Sequence, residues 1–477
     1  MLATERPTPW LSTALALVAA VTLLRWGLLW LNRTDLFVDE SQYWLQSRHL
    51  EWGTYSKPPL ITWLIRASTE ITRCDSPFCI RLPAAALHGL TALILGAVAA
   101  RRFSGTAAVQ VTFLYLTLPF AALGSLLIST DTVMLPFFAA AIYGHQRLIE
   151  SRRLSWAVLT GIAVGLALMA KYAAIYALLG IAVAAVLPGD ARIGPKALAV
   201  IVVTSALIIL PNLMWNASHQ FATFWHTLAN VGWVATDKPK PYPGIMGAVW
   251  FLIGQLGVFG PIMAMALMAA LVGTRGQTGL KALAVVPLVV VIVQAMLGRA
   301  YGNWAVAAYL AGSLLAVDWF SRNARWFWGA AFINIVVALL LPVLTVFPEV
   351  AVRDGQPVLA RYLGRADLSR KILTLAAHEG NVPIVADRRA VLADLFYTGR
   401  SQNIRIYARP HAGFPANYYQ QTHALPPGQT SPVLLVGDLP AACQPLAPTV
   451  TLDGRGTYEG QKIAVTKVDP SCLFPPD

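Results

Sequence analysis

Long apolar stretches alternate with short polar connections over the first three quarters of the chain. A helix that crosses a lipid bilayer needs about 20 residues, mostly apolar, within a range of about 17–25. The pattern therefore predicts about eleven membrane-spanning helices within residues 1–347. The eleven stretches are 11–31, 83–100, 107–123, 132–146, 156–170, 173–187, 197–215, 246–272, 282–298, 304–320 and 326–347.

Basic residues mark every second connection between these stretches. They are Arg101, Arg102, Arg147, Arg152, Arg153, Arg192, Lys196, Arg275, Lys281, Arg322 and Arg325. Cytoplasmic loops carry the excess of Lys and Arg, so these connections are expected inside. The N-terminus is then inside and the segment after residue 347 outside. Two longer connections, 32–82 and 216–245, become outer loops.

The first outer loop is rich in aromatic residues between Glu40 and Glu70. These are Tyr43, Trp44, Trp52, Tyr55 and Trp63. Because Trp and Tyr favour the headgroup level of a bilayer, we expect helices that lie along the membrane interface.

Residues 348–477 have a different pattern, with 13 Lys or Arg and 11 Asp or Glu. Short apolar runs at 382–387 and 432–437 predict buried strands, and 357–378 and 388–397 predict helices. We expect a small C-terminal α/β domain on the outer, periplasmic side.

Composition supports a membrane protein. The 477 residues are 56% hydrophobic and 12% charged, against roughly 25% charged in soluble chains. This excludes a disordered chain and an ordinary soluble enzyme. The net charge of +13 is dispersed over the chain. It therefore indicates membrane topology and contact with anionic lipid, and no nucleic-acid partner is expected.

Four cysteines, Cys74, Cys79, Cys443 and Cys472, all fall on the outer side of this topology. Two nearby pairs, Cys74 with Cys79 and Cys443 with Cys472, could form disulfides in an oxidising compartment such as the periplasm. The alternative is free thiols. The spacing lacks the two-pair pattern of a zinc site, so no metal site is assigned.

Several outer residues are candidates for chemistry. Asp39 and Glu40 follow the first span, where a carboxylate suits general-base work or simply caps a helix. Lys57 precedes Pro58 and Pro59, which stiffen the turn. It could hold a phosphate, or lie as an ordinary lysine at the membrane surface.

Asp131 opens the fourth apolar stretch, as a second carboxylate on the outer side or as a helix cap. Lys171 and Arg299 are lone cations at outer ends of apolar segments, where an anionic phosphate would explain them. The second outer loop adds His219, His226, Lys238 and Lys240. A histidine in such a loop is more often structural than a ligand.

Taken together, these motifs resemble those of the C-type glycosyltransferases. The pattern is DE after the first span, then KPPL, an outer Asp before the fourth span, and a late R-x-x-x-N-W segment from Arg299 to Trp304. The resemblance is to the branch that includes lipid A aminoarabinose and galacturonic-acid transferases and protein O-mannosyltransferases. It implies transfer of a sugar from a polyprenyl phosphate, undecaprenyl phosphate in bacteria, at the outer face of the inner membrane. It also implies inversion at the anomeric carbon.

The resemblance implies roles for individual residues. Asp39 would be the catalytic carboxylate, with Glu40 beside it and Asp131 as a second acid near the acceptor. Donor phosphate would be bound by Lys57 and, from position alone, by Lys171 and Arg299. Further site candidates are Tyr43, His219, His226 and Asn303. No cofactor is implied with certainty; a divalent metal is possible but not indicated.

Two positions depart from the branch. Gln42 and Ser56 replace an arginine after DE and a glutamate before KPPL. The sugar therefore stays open, and the acceptor can be lipid A or lipopolysaccharide, a polysaccharide or a protein. A transporter or lipid flippase is the alternative, although no inverted repeat or matched pair of Gly/Pro-broken spans is evident. A membrane-anchored binding module would leave the many spans without a purpose.

Overall fold

The computed structural model describes residues 10–234 and 244–474. Its α-helices are α1 (Trp10–Trp30), α2 (Val38–Gln46), α3 (Leu60–Thr72), α4 (Pro77–Arg102), α5 (Gly105–Thr117), α6 (Pro119–Gly124), α7 (Thr130–Ser151), α8 (Leu154–Ala170), α9 (Ile175–Val186), α10 (Pro195–Ser218), α11 (Ala222–Val231), α12 (Ile245–Phe259), α13 (Pro261–Gly273), α14 (Thr278–Leu297), α15 (Ala308–Phe320), α16 (Ala324–Val346), α17 (Arg365–His378), α18 (Arg389–Thr398) and α19 (Tyr418–Thr422). Its strands are β1 (Val352–Arg353), β2 (Gln356–Pro357), β3 (Ile384–Ala386), β4 (Ile406–Ala408), β5 (Val433–Val436), β6 (Val450–Asp453) and β7 (Lys462–Val468).

The chain folds into two compact units that do not follow a single boundary near residue 347. The helical unit comprises the chain up to Leu31, then Glu51–Leu64 and Phe78–Val343. The mixed unit comprises Asn32–Leu50, Ile65–Pro77 and the chain from Leu344. Most of the first outer loop therefore groups with the C-terminal segment.

The helical unit contains the membrane-spanning helices. Among the described residues, five helices are long and apolar enough to cross a bilayer: α1, α4, α10, α14 and α16. The bent pair α12 and α13 would make a sixth. Every predicted apolar stretch is helical, but α9 and α15, with 12 and 13 residues, are shorter than a full span, and α8, with 17, is at the lower limit. The protein is polytopic and helical, whereas eleven spans and their orientation stay predictions.

Two of the predicted spans are broken. The stretch 246–272 bends by 109° between α12 and α13, where Gly260 has φ +93° and Pro261 starts the next helix. The stretch 107–123 breaks at Leu118, whose extended backbone is what the following proline favours. The sequence prediction treated each of these stretches as one span and placed a break in neither.

The mixed unit is built on a five-stranded sheet of order β4-β3-β5-β7-β6. The first three strands are parallel, and β7 runs antiparallel to both β5 and β6. The two strands predicted at 382–387 and 432–437 are present, as β3 and β5. One face of the sheet packs against α17 and α18 in a buried cluster that also includes Val38 of α2. Because side chains alternate along a strand, Val385 and Leu435 enter the core on the opposite face.

The predicted helix 357–378 is shorter than expected. Residues 356–357 form β2, and α17 begins only at Arg365. Gly364 precedes it in the left-handed region, at φ +79°, which interrupts a continuous helix.

A disulfide closes the far side of the sheet. Cys443 and Cys472 are bonded, as the sequence suggested, and they pack in the same cluster as Val385. Cys74 and Cys79 are also disulfide-bonded. None of the cysteines, all of which lie in the described ranges, is a free thiol.

Candidate functional site

Asp39 and Glu40 lie in the first turn of α2, where acidic side chains interact favourably with the helix dipole. The two have different environments. Glu40 is almost fully buried, and its Oε2 accepts the backbone N–H of Phe37 at 2.9 Å. The Asp39 side chain keeps 44% of its surface exposed. Glu40 thus caps the helix that presents Asp39, and its role in chemistry stays a prediction.

Arg389 is the partner of Asp39 that sequence analysis missed. Its Nη2 donates to Asp39 Oδ1 at 2.5 Å, and its Nε donates to Gln42 Oε1 at 2.8 Å. Burial alone would lower the pKa of the Arg389 guanidinium, but the charge of Asp39 and the hydrogen bond to it raise that pKa above its usual value. One guanidinium therefore fixes two side chains one turn apart on α2. No local motif around residue 389 could have revealed this, since 350 residues separate the partners.

Lys57 lies on a rigid turn in the helical unit. Thr54 N–H and Oγ1 both donate to Lys57 O, at 3.1 and 2.9 Å, and Lys57 N–H donates back to Thr54 Oγ1 at 3.2 Å. Two further side chains hold the turn from outside. Asn212 Nδ2 donates to Trp52 O at 2.8 Å, and Thr223 Oγ1 donates to Thr54 O at 2.6 Å. The turn is thus anchored by α10 and α11 at backbone atoms.

Asp131, Lys171 and Asn303 meet in the same unit. Lys171 Nζ donates to Asp131 Oδ1 at 2.6 Å, and Asn303 Nδ2 donates to Asp131 Oδ2 at 2.7 Å. The Ser129 side chain accepts the N–H of Thr132 at 3.2 Å and caps α7. The N-cap of this helix is therefore Ser129 and not Asp131. Three residues that the sequence singled out separately therefore form one cluster, the Asp131 cluster.

Asn212 connects the Lys57 turn to the neighbour of Lys171. Tyr172, the residue after Lys171, donates its hydroxyl to Asn212 Oδ1 at 2.7 Å, while Asn212 Nδ2 holds Trp52. Asn216 Nδ2 donates to the same hydroxyl at 3.1 Å. The segments that carry Lys57 and Lys171, the two candidate phosphate-binding lysines, are therefore both hydrogen-bonded to the side-chain amide of Asn212.

The other candidates lie in different settings. His219 stacks on the Trp215 ring with centroids 4.0 Å apart, and His226 meets the Tyr55 ring edge-on at 5.3 Å. Tyr43 is buried on α2. The Arg299 guanidinium makes no ion pair or hydrogen bond with the described residues, and Gln294 Nε2 holds its carbonyl at 3.1 Å. Lys238 and Lys240 lie outside the described residues.

No group of three or more His, Cys, Asp or Glu side chains within residues 10–234 and 244–474 could hold a metal ion. The chemistry open to this chain's own residues is that of an oriented carboxylate, Asp39, and of fixed cations on stiff segments. An oriented carboxylate can activate an acceptor oxygen, and fixed cations can stabilise a leaving phosphate.

Comparison with known proteins gives consistent matches. The profile of the dolichyl-phosphate-mannose-protein mannosyltransferase family matches residues 56–215. This segment includes Lys57, Asp131 and Lys171. The lipid A galacturonosyltransferase RgtD of Rhizobium johnstonii is 38% identical, over 97% of this chain and 99% of its own.

Two solved structures share the fold. They are crystal structures of ArnT from Cupriavidus metallidurans, in the apo state and bound to undecaprenyl phosphate. Their TM-scores are 0.65 and 0.64, at 14% and 16% sequence identity. Each match covers 97% of this chain and 99% of the other.

Proposed function

Because this chain belongs to the C-type glycosyltransferases that use polyprenyl-phosphate sugars, we propose that it transfers galacturonic acid from undecaprenyl phosphate to lipid A. The enzyme is a membrane-embedded glycosyltransferase. The proposed sugar and acceptor are supported by its 38% identity to a lipid A galacturonosyltransferase over nearly the whole chain. The donor lipid follows from ArnT, whose fold it shares and which binds undecaprenyl phosphate.

The observation that carries the mechanism is the Asp39–Arg389 pair. Transfer forms a bond from an acceptor oxygen to the anomeric carbon and breaks the bond from that carbon to the donor phosphate. Asp39 takes the proton of an acceptor hydroxyl, or orients an acceptor phosphate that is already anionic. Arg389 holds Oδ1 at 2.5 Å, so the direction of the carboxylate is set before substrate arrives.

Lys57 and Lys171 stabilise the charge that develops on the departing phosphate. The two prolines after Lys57 and the bonds from Asn212 and Thr223 fix its backbone, so little reorganisation is needed at the moment of reaction. Asp131 uses both oxygens to hold Lys171 and Asn303. We therefore assign Asp131 as a positioning residue rather than as a second acid.

The proposed location is the bacterial inner membrane, with Asp39 and the C-terminal segment on the periplasmic side. Two disulfides support this side, since such bonds persist in oxidising compartments and are rare in the cytosol. Undecaprenyl-phosphate sugars and lipid A would both be reached there within one leaflet.

The test is a transfer assay with purified protein in nanodiscs. Undecaprenyl-phosphate galacturonic acid and lipid A are incubated with wild type, and the product is identified by mass spectrometry. We expect lipid A heavier by one galacturonic acid. Asp39→Asn should lower turnover by about 10²–10⁴-fold, the usual contribution of a general base. Asp453→Asn, which changes an exposed acid on β6, is the matched control and should be unaffected.

The assay separates the parts of the proposal. Transfer only from an aminoarabinose or mannose donor would overturn the sugar and leave the family intact. Near-normal turnover of Asp39→Asn would overturn its assignment as the base.

A further inference from the structure

A cavity of about 580 Å³ lies within the mixed unit, away from the Asp39–Arg389 pair. Its walls come from residues 32–36, from α17, and from the end of α18 with the turn after it. The volume falls in the range of about 300–1,000 Å³ that holds small ligands, and it exceeds what one phosphate ion needs. We call it the arginine cavity, after Arg33, Arg365, Arg370 and Arg400 in its lining.

The two acidic residues of the lining, Asp35 and Asp394, make hydrogen bonds and an ion pair within the mixed unit. Asp35 Oδ2 accepts the backbone N–H groups of Arg365 and Ala366 at the start of α17, at 2.9 and 3.3 Å. Asp394 is ion-paired with Arg365 at 3.2 Å and accepts the Tyr458 hydroxyl at 2.7 Å. Both acids therefore make hydrogen bonds that belong to the fold of the mixed unit.

Those arginines keep most of their donors. The Arg370 guanidinium has no ion pair or hydrogen bond within the described part of the chain. Arg400 stacks over the Tyr397 ring at 4.2 Å and donates once, to Tyr397 O at 2.7 Å. Arg33 pairs with Glu349 at 3.3 Å, but both side chains are more than half exposed, so the pair is weak.

A buried donor adds an independent observation. Asn32 Oδ1 accepts from Thr34, whereas Asn32 Nδ2 is buried and has no acceptor among residues 10–234 and 244–474. Asn32 is part of the cavity lining. A buried N–H group without an acceptor is unfavourable, so this position favours a ligand with an acceptor oxygen.

Two residues of the lining are close in sequence to candidate membrane-spanning helices. Asn32 follows the last residue of α1 by two positions, and Pro77 of the lining is the first residue of α4. Both helices are long and apolar enough to cross a bilayer.

We propose that the arginine cavity binds the anionic headgroup of the glycolipid acceptor, through a phosphate or carboxylate held by Arg370 and Arg400. Guanidinium groups match both oxyanions with paired hydrogen bonds. This rests on the proposed function and adds a second binding point to it. Ser41 of α2 lines the cavity and stands about 200° around the helix from Asp39, so α2 separates acceptor anchoring from chemistry.

The first experiment measures binding without catalysis. Inorganic phosphate is titrated into full-length wild type and into the double variant Arg370→Gln/Arg400→Gln by calorimetry. We expect binding to wild type and a loss of at least tenfold in the double variant. Arg405→Gln, an exposed arginine of the same unit outside the lining, is the control and should bind as wild type does. Equal binding by all three proteins, or none by wild type, overturns the proposal.

The second experiment separates a headgroup from free phosphate. In the transfer assay, the double variant should raise the acceptor KM at least tenfold with kcat and the donor KM nearly unchanged. Inorganic phosphate should compete with the acceptor in wild type. Phosphate binding with an unchanged acceptor KM would overturn the headgroup assignment, as would an equal loss toward both substrates. If wild type transfers no sugar at all, the function fails while the binding result still decides the cavity.

Discussion

At the scale of single residues, Arg389 controls the direction of the Asp39 carboxylate. An arginine at the first position of a helix opposes the helix dipole, so its placement there is unfavourable without the carboxylate it meets. Gln42 gives the guanidinium a second acceptor, which a lysine could not use in the same way.

Replacement of Arg389 should therefore lower turnover in a graded manner. We expect Arg389→Ala to reduce kcat by about 10–100-fold, with a smaller loss for Arg389→Lys, because lysine keeps the charge and loses the fork. The control is Arg388→Ala at the adjacent position, where a hydrogen bond to Gln461 and a contact with the Tyr458 ring are lost. Steady-state kinetics and thermal unfolding of the three variants are the measurements. A uniform fall in melting temperature without a change in kcat would contradict the positioning role.

The Asp131 cluster makes a prediction about coupling. Asp131→Asn and Lys171→Met should each reduce transfer, and the double variant should lose less than the sum of the two. Residues in direct contact typically couple by about 0.5–3 kcal/mol. A double-mutant cycle on kcat/KM measures this energy, and strict additivity would show that the two side chains act independently in catalysis.

Sequence alone identified most of the candidates but not how they are grouped. Asp39, Lys57, Asp131 and Lys171 stand out because charged residues are rare beside apolar segments. Their roles stay predictions. That Lys171 contacts Asp131 depends on packing across 40 residues, which one sequence does not contain.

At the scale of elements, the turn that carries Lys57 depends on a glycine. A Cβ on Gly53 would come within 2.3 and 2.6 Å of the Trp215 ring, and Trp215 is itself held by its Nε1 donating to Glu51 Oε2 at 2.6 Å. Only a residue without a side chain allows this close approach.

Gly53→Ala should displace the turn from α10. We expect a loss of about 1–3 kcal/mol in stability, as is typical of overpacking, together with a higher donor KM. Gly27→Ala on α1 is the matched control, because a Cβ there meets nothing within 4 Å. Thermal unfolding and donor titration check both effects. An unchanged donor KM would contradict the proposal that the turn with Lys57 binds the donor.

The helices were the most predictable elements. A backbone in lipid must satisfy its own hydrogen bonds, so a long apolar run has little choice but to form a helix. The break at Gly260 was missed because glycine and proline interrupt a helix while leaving the run apolar. The start of α17 was missed because it depends on the backbone conformation of Gly364.

At the scale of the whole molecule, the family prediction from the DE and KPPL motifs is confirmed by the match to a lipid A galacturonosyltransferase. Which segments of the chain form the mixed unit could not be predicted. Hydropathy indicates that a face is buried, but it does not indicate which distant segment packs against that face. Segment 32–50 reads as an interfacial loop, yet Val38 packs with α17 and α18.

The disulfide of the mixed unit should contribute to its stability. Cys443 and Cys472 are 29 residues apart, and a loop of this length corresponds to about 3–4 kcal/mol in the chain-entropy estimate. Cys443→Ser should therefore lower the melting temperature and speed proteolysis of the C-terminal segment. Limited proteolysis with and without reductant measures this. Wild type under reducing conditions should match the variant under the same reducing conditions, because reductant also opens the disulfide of Cys74 and Cys79. Resistance of both proteins would contradict the prediction.

Because the mixed unit is formed by separate segments of the chain, its parts are synthesised at different times. Asp39 leaves the ribosome early, but Arg389 is translated 350 residues later, about 20–70 s at about 5–20 residues per second. During that interval the nascent chain carries the Asp39 carboxylate without the guanidinium that holds it in the finished protein. Efficient transfer is therefore expected only after translation has passed α18, because a fragment released earlier carries the Asp39 carboxylate without the arginine that orients it.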